Sequence, residues 1–159
     1  MPKPREFEDR QAERWTLIRA RDRRNTRLAI FVHGFLGDHL GTWGQLPRLL
    51  QEHADADDVL NEWDYLFVGY KTRSVESYID IAHQVGTQVR LAADGRGAFS
   101  HAYDRFALMG HSLGTLGIRQ LLCAQPLHAL DLSKQLHSVT LFGTPLNGSA
   151  LAYFGTLIG

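Results

Sequence analysis

Arg105-Phe-Ala-Leu-Met-Gly-His-Ser-Leu-Gly-Thr-Leu-Gly-Ile-Arg-Gln-Leu-Leu122 is the stretch where the chain changes period. An unbroken apolar run, Phe106 to Met109, stops at Gly110-His-Ser-Leu-Gly114. Leu113, Leu116, Ile118, Leu121 and Leu122 then give a helix one apolar face. The stretch reads as a buried strand, a sharp turn and a helix, with Ser112 on the turn. A serine on so tight a bend has a strained backbone that lifts its hydroxyl into the open. Glycine is needed on both sides, because a Cβ at Gly110 or Gly114 would strike the neighbouring strand and helix. G-x-S-x-G alone is a weak signal, and its specificity comes from the strand before it and the helix after it. The plainer alternative is an ordinary serine in a glycine-rich turn.

Upstream, Leu28-Ala-Ile-Phe-Val32 is apolar without alternation, as a parallel strand covered on both faces requires. It runs into His33-Gly34-Phe35-Leu36-Gly37, a glycine loop whose backbone N–H groups can converge on one spot. Behind it come Thr42-Trp43-Gly44 and a short helix with Pro47 in its first turn and Leu46, Leu49 and Leu50 expected inward. Asp55, Asp57, Asp58 and Glu62 read as a solvated surface loop rather than a metal site, since nothing fixes them in ligand geometry. Trp63 to Tyr70 is a second strand, interrupted at Gly69. Val75, Tyr78, Ile79, Ala82, Val85, Val89 and Ala92 predict a helix that Gly95 and Gly97 end.

Downstream, Pro126 breaks the pattern and Ser138-Val-Thr-Leu-Phe-Gly143 is the last strand, before Thr144-Pro-Leu-Asn-Gly148. Four strands alternating with three helices predict βαβ units, hence an α/β fold with a doubly wound, mainly parallel sheet. Each apolar run closes on glycine, at Gly34, Gly69, Gly110 and Gly143. Ligands of such sheets bind beyond the carboxyl ends of the strands, where the Ser112 hydroxyl would emerge.

Composition sets the outer bounds. With 159 residues, 44% hydrophobic, 21% charged and a formal net charge of zero, the chain fits one globular domain. It can bury about 68 to 70% of its unfolded surface without disulfides or metal. Cys123, the single cysteine, falls on the helix after Ser112 and is expected to be a buried structural thiol, and no disulfide framework indicates an oxidising compartment. Residues 1–27 carry nine Lys or Arg against five Asp or Glu and no apolar run. They predict neither a signal peptide nor a membrane span, and the protein is expected to be cytoplasmic. Mixed charge without interleaved aromatics argues against nucleic acid. The segment reads as an N-terminal arm or helix that Trp15, Leu17 and Ile18 anchor to the domain of residues 28–159.

Three motifs in this order resemble the α/β-hydrolases, most closely the lipase-like serine esterases. They are Phe31-Val-His-Gly-Phe35 with Thr42-Trp43-Gly44, Met109-Gly-His-Ser-Leu-Gly114, and Leu141-Phe-Gly-Thr-Pro145 with Gly148-Ser149. The resemblance covers about residues 28 to 150. It implies that Ser112 is a nucleophile, that the N–H groups of Leu113 and Phe35 form its oxyanion hole, and that Gly34 keeps that loop close. The chemistry is consistent, because two fixed N–H donors suit the oxyanion of acyl transfer and the start of a helix favours negative charge. No cofactor or metal is implied. His33 and His111 flank these parts, but each reads as a hydrogen bonder holding the loop rather than as the general base.

The chain departs from the family in one respect. The family order is nucleophile, acid, histidine, yet no Asp or Glu follows Asp131. His137 precedes the last strand, and His128 and Asp131 share its connecting segment, so all three are expected at the opposite edge of the sheet from Ser112. The apolar stretch from Ala150 to Gly159 reads as the interior of a helix or lid. The expectation is therefore the nucleophile-bearing N-terminal part of a serine hydrolase for carboxylic esters or related small acyl substrates. In isolation it would be inactive and prone to self-association through the exposed edge of its last strand. The alternative is a non-catalytic, hydrolase-like module that binds a protein partner or an apolar ligand.

Overall fold

The computed structural model of the chain describes residues 4–10, 14–70, 77–124 and 132–145. Apolar, branched and aromatic runs give the inner strands β3 (Arg27–Val32), β4 (Trp63–Val68) and β5 (Arg105–His111), and β6 (Leu136–Phe142) lies beyond β5. In β4 every residue is buried. The strands β4, β3, β5 and β6 are parallel neighbours in that order. Helix α1 (Leu46–His53) follows β3, α2 (Tyr78–Asp94) follows β4 and α3 (Leu113–Cys123) follows β5, and a single turn, α4 (Leu132–Gln135), leads into β6.

The N-terminal segment is neither an arm nor a helix. Glu6–Arg10 (β1) and Trp15–Arg19 (β2) form an antiparallel hairpin, and β2 adds to β4, so the six-stranded sheet runs β1-β2-β4-β3-β5-β6. Trp15, Leu17 and Ile18 do anchor it, as buried strand residues. The hairpin is tied down by Arg5, whose guanidinium donates to Asp55 and to the carbonyls of Leu60, Asn61 and Trp63.

Two cores sandwich the sheet. Leu17, Leu28, Ile30, Leu66, Phe106 and Leu108 pack against α2 and α3. Ala29, Phe31, Tyr65, Phe67 and Ala107 pack against Leu50 and Ala54 at the α1 end. Helix α2 begins in a capping box, Ser77 accepting from Ile79 N while Asp80 accepts from Ser77 N, and it ends on Gly95 in the left-handed region. Ile79, expected on the apolar stripe, is exposed and Ile81 is buried in its stead, because the two lie about 200° apart around the helix and only one can face the sheet. Tyr78, in the first turn, is also exposed, Leu49 faces outward from α1, and Val75 lies outside the described residues. Cys123 is exposed rather than buried. Among the described residues no helix is long and apolar enough to cross a membrane.

Candidate active site at the strand ends

The chain passes from β3 to β4 on one side and then returns to β5 on the other. The carboxyl ends of β3 and β5 therefore lie side by side at the point where the winding reverses. Val32 pairs with Gly110 in register. The loop after β3 and the turn after β5 consequently meet.

Ser112 occupies that turn with φ 50° and ψ −118°, a region that L-residues rarely populate and that costs on the order of 1–3 kcal/mol. Three hydrogen bonds hold it there. Its N–H donates to Phe142 O at 2.9 Å, and its carbonyl accepts from Thr115 N at 3.0 Å and from Thr115 Oγ1 at 2.6 Å. Its side chain makes no capping bond to α3, which begins at the next residue. The hydroxyl is therefore not spent on the helix, and the backbone N–H of Leu113 stands in the first turn, where donors lack intrahelical partners.

Close approach explains the glycines. A Cβ on Gly114 would lie inside 3.0 Å of the carbonyl oxygens of His33 and Val32, and one on Gly34 would lie 2.8 Å from Ser112 Cβ. A Cβ on Gly110 would meet Ile118 Cδ1 at 2.9 Å and Thr115 Cα at 3.0 Å. Gly34 thus sets the Phe35 loop directly against Ser112. Phe35 itself packs partly buried on the α2–α3 core, which fixes the position of its backbone.

His33 is wholly buried and both ring nitrogens are engaged: Nδ1 lies 2.7 Å from Gly34 O, and Nε2 accepts from Tyr70 N at 3.1 Å. This assigns the ring proton to Nδ1. The ring stacks on Tyr70 at 4.2 Å, and the Tyr70 hydroxyl donates to His33 O at 2.7 Å. Burial holds the His33 pKa below 6.5. His111, by contrast, is exposed.

Further along, Asp38 accepts from Leu40 N and Gly41 N, bonds that hold its carboxyl below the usual range, and His39 reaches Asp9 Oδ1 at 3.2 Å on β1. Sequence reading missed Tyr70, Asp38 and His39 as supports of this loop. The Asp-x-x-Gly spacing of Asp38 and Gly41 was the available signal. Tyr70 needed the pairing of Val32 with Val68, which the sequence does not supply. Of the other histidines, His101 lies 2.7 Å from Asn25 O beyond the opposite ends of the strands, and His137 stands within β6 rather than before it, against Trp63. His128 and Asp131 lie outside the described residues, as do Gly148 and Ser149.

Comparison with solved structures places this architecture. An inhibited esterase B from Lactobacillus rhamnosis superposes with a TM-score of 0.61 at 17% identity, covering 96% of this chain and 56% of that one. A siderophore hydrolase from Aspergillus fumigatus gives 0.55 at 17% identity, with coverages of 88% and 42%. An arylesterase gives 0.54 at 20% identity, with coverages of 79% and 38%. At these identities the likeness is one of fold, and the chain has the α/β-hydrolase fold, spanning about half or less of the length of these structures. No family model matches the chain, and no curated protein matches it in sequence.

Proposed function

We propose that the chain carries the nucleophile half of a serine hydrolase acting on carboxylic esters or related acyl groups. The supporting observation is Ser112 in a strained turn with Gly34 packed against its Cβ. In this reading Ser112 Oγ attacks the acyl carbon and gives its proton to a base. The oxyanion is held by the N–H groups of Leu113 and Phe35, and collapse expels the alcohol, which takes that proton. Water then repeats the sequence on the acyl-enzyme, releasing the acid. Each backbone donor contributes about 3–4 kcal/mol to the transition state. His33 is unsuited as the base because both nitrogens are committed. His111 has no carboxylate partner among the described residues. Following the family order of nucleophile, acid and histidine, this reading assigns the base and acid to strands after β6.

The test is hydrolysis of p-nitrophenyl acetate. Without its base Ser112 is an ordinary alcohol, and loss of such a partner costs about six orders of magnitude in known triads. The 159-residue chain is expected to react barely above background, with Ser112→Ala changing little. Extension through the following strands is expected to give turnover that Ser112→Ala abolishes. Rapid Ser112-dependent turnover by the 159 residues alone would mean that one of their own histidines is the base and would end the nucleophile-half reading, and an inert extended chain would favour the non-catalytic module.

β6 bears on the state of the isolated chain. Val139, Leu141 and Phe142 are exposed, and the strand carries no Lys, Arg, Asp or Glu to discourage pairing. We expect self-association through this edge. Sedimentation should show species larger than 17.9 kDa, and Val139→Lys with Leu141→Lys should restore the monomer. A monodisperse parent would end this reading.

A further inference from the structure

Beyond the opposite ends of the parallel strands lies a feature that ester hydrolysis does not use. From the last residue of β2 toward β3 the chain reads Arg19-Ala-Arg-Asp-Arg-Arg24, four arginines in six residues. Together with Ser100 and His101, all four line one cavity of about 310 Å³. Two acids also line it, and both are already engaged. Glu6 pairs with Arg19, while Asp64 accepts from Ala20 N, Asn25 Nδ2 and the Tyr103 hydroxyl and stands 3.7 Å from Arg5.

The cations are less fully matched. Arg19 also pairs with Glu8 and donates to Ser100 Oγ at 3.2 Å, yet its Nε–H is buried with no acceptor. Arg23 is satisfied, pairing with Asp55 and donating to Asn25 Oδ1 and Asn61 O. Arg21 uses only its Nε, on Pro4 O, and Arg24 has no partner among the described residues. A buried donor without an acceptor is costly, and Arg21 and Arg24, which have no carboxylate partner among the described residues, add uncompensated positive charge to the one cavity. Several acceptor oxygens on one compact, doubly charged group would relieve both conditions, and guanidinium forks match phosphate in geometry.

We infer that this cavity binds a phosphate-type oxyanion, either inorganic phosphate or the phosphate group of a phosphomonoester. The cavity has room for more than the anion itself. The site is independent of Ser112, from which the length of the strands separates it.

Calorimetric titration of the 159-residue chain at low salt with inorganic phosphate, and separately with glycerol 3-phosphate, tests the inference. Saturable binding is expected for at least one. Binding of phosphate alone identifies the free ion as the ligand, and tighter binding of glycerol 3-phosphate identifies the monoester. Arg21→Ala and Arg24→Ala are expected to weaken binding about tenfold or more each, with unchanged melting because both side chains are exposed. Ser112→Ala should bind as the parent does. No saturable binding of either probe, equal affinity for chloride, or unaltered binding by the Arg21→Ala/Arg24→Ala double variant would overturn it.

Discussion

The two ends of the parallel strands are held by opposite means. At the carboxyl ends, Gly34, Gly110 and Gly114 let backbone lie on backbone, and Ser112 and Leu36 sit at φ 50° and 56°. The buried ionisable group there, His33, is gripped largely by main-chain atoms. At the amino ends, side chains make the connections, with Arg5, Asn25, Tyr103 and Ala20 N converging around buried Asp64. An end stripped of side chains leaves backbone donors available to a ligand but cannot accept an added atom. An end built from side chains accepts changes of shape but not the loss of a partner.

The largest effect expected from this contrast is at Gly114. Valine there would force its Cβ inside 3.0 Å of two carbonyl oxygens at the end of β3, which belong to a central strand and cannot yield. Urea unfolding of Gly114→Val should show a loss of at least about 4 kcal/mol, or no folded state. Gly44→Ala is the control. It meets nothing within 4 Å and pays only for its φ of 58°, about 1 kcal/mol. Equal stability of the two variants would break the comparison.

Arg5→Met probes the other end and should cost about 3 kcal/mol, because it strands Asp64 and removes the donor to three carbonyls. Adding Asp64→Asn should cost less than the sum of the two single changes, since the partners share one network. Strict additivity, measured by the same unfolding curves, would mean that the two residues act separately.

The contrast also explains what the sequence made legible. β3, β4 and β5 announced themselves as apolar runs because they are covered on both faces, and their terminal glycines marked the end that carries the candidate site. β1 carries four charged residues in five, Glu6, Glu8, Asp9 and Arg10, and draws its order from pairing with β2 rather than from burial. Its pattern cannot be told from a solvated arm. Arg5 and Thr16 are buried polar residues, which no apolar periodicity detects. The strained turn at Ser112 was legible because its environment is written in neighbouring glycines. Tyr70 was not, because its partner is set by strand register. The arginine run was visible as charge, but its cavity required the approach of Ser100 and His101 from a distant loop.

The smallest effect is the dependence of stability on pH, where the two buried groups should act with opposite signs. Burial, only partly offset by the Gly34 bond, holds the His33 pKa below 6.5. As pH falls below 6.5 the unfolded chain takes up a proton that the folded chain refuses, so this contribution to stability is complete above 6.5 and is lost as pH falls through the folded value. Burial also outweighs the donors around Asp64 and raises its pKa above 3.8. The folded chain then keeps a proton that the unfolded chain has released, so stability present below 3.8 is lost as pH rises through the folded value. Neither slope can exceed about 1.4 kcal/mol per pH unit, because each is a single proton. The measurement is the difference in unfolding free energy between parent and variant across about pH 4 to 7, the span of the ordinary Asp and His values. Any fixed packing cost of the substitution cancels from the trend. With His33→Asn the parent's advantage should shrink as pH falls; with Asp64→Asn it should shrink as pH rises. Trends of the same sign would mean that the two ends do not bury their ionisable groups in opposite charge balance.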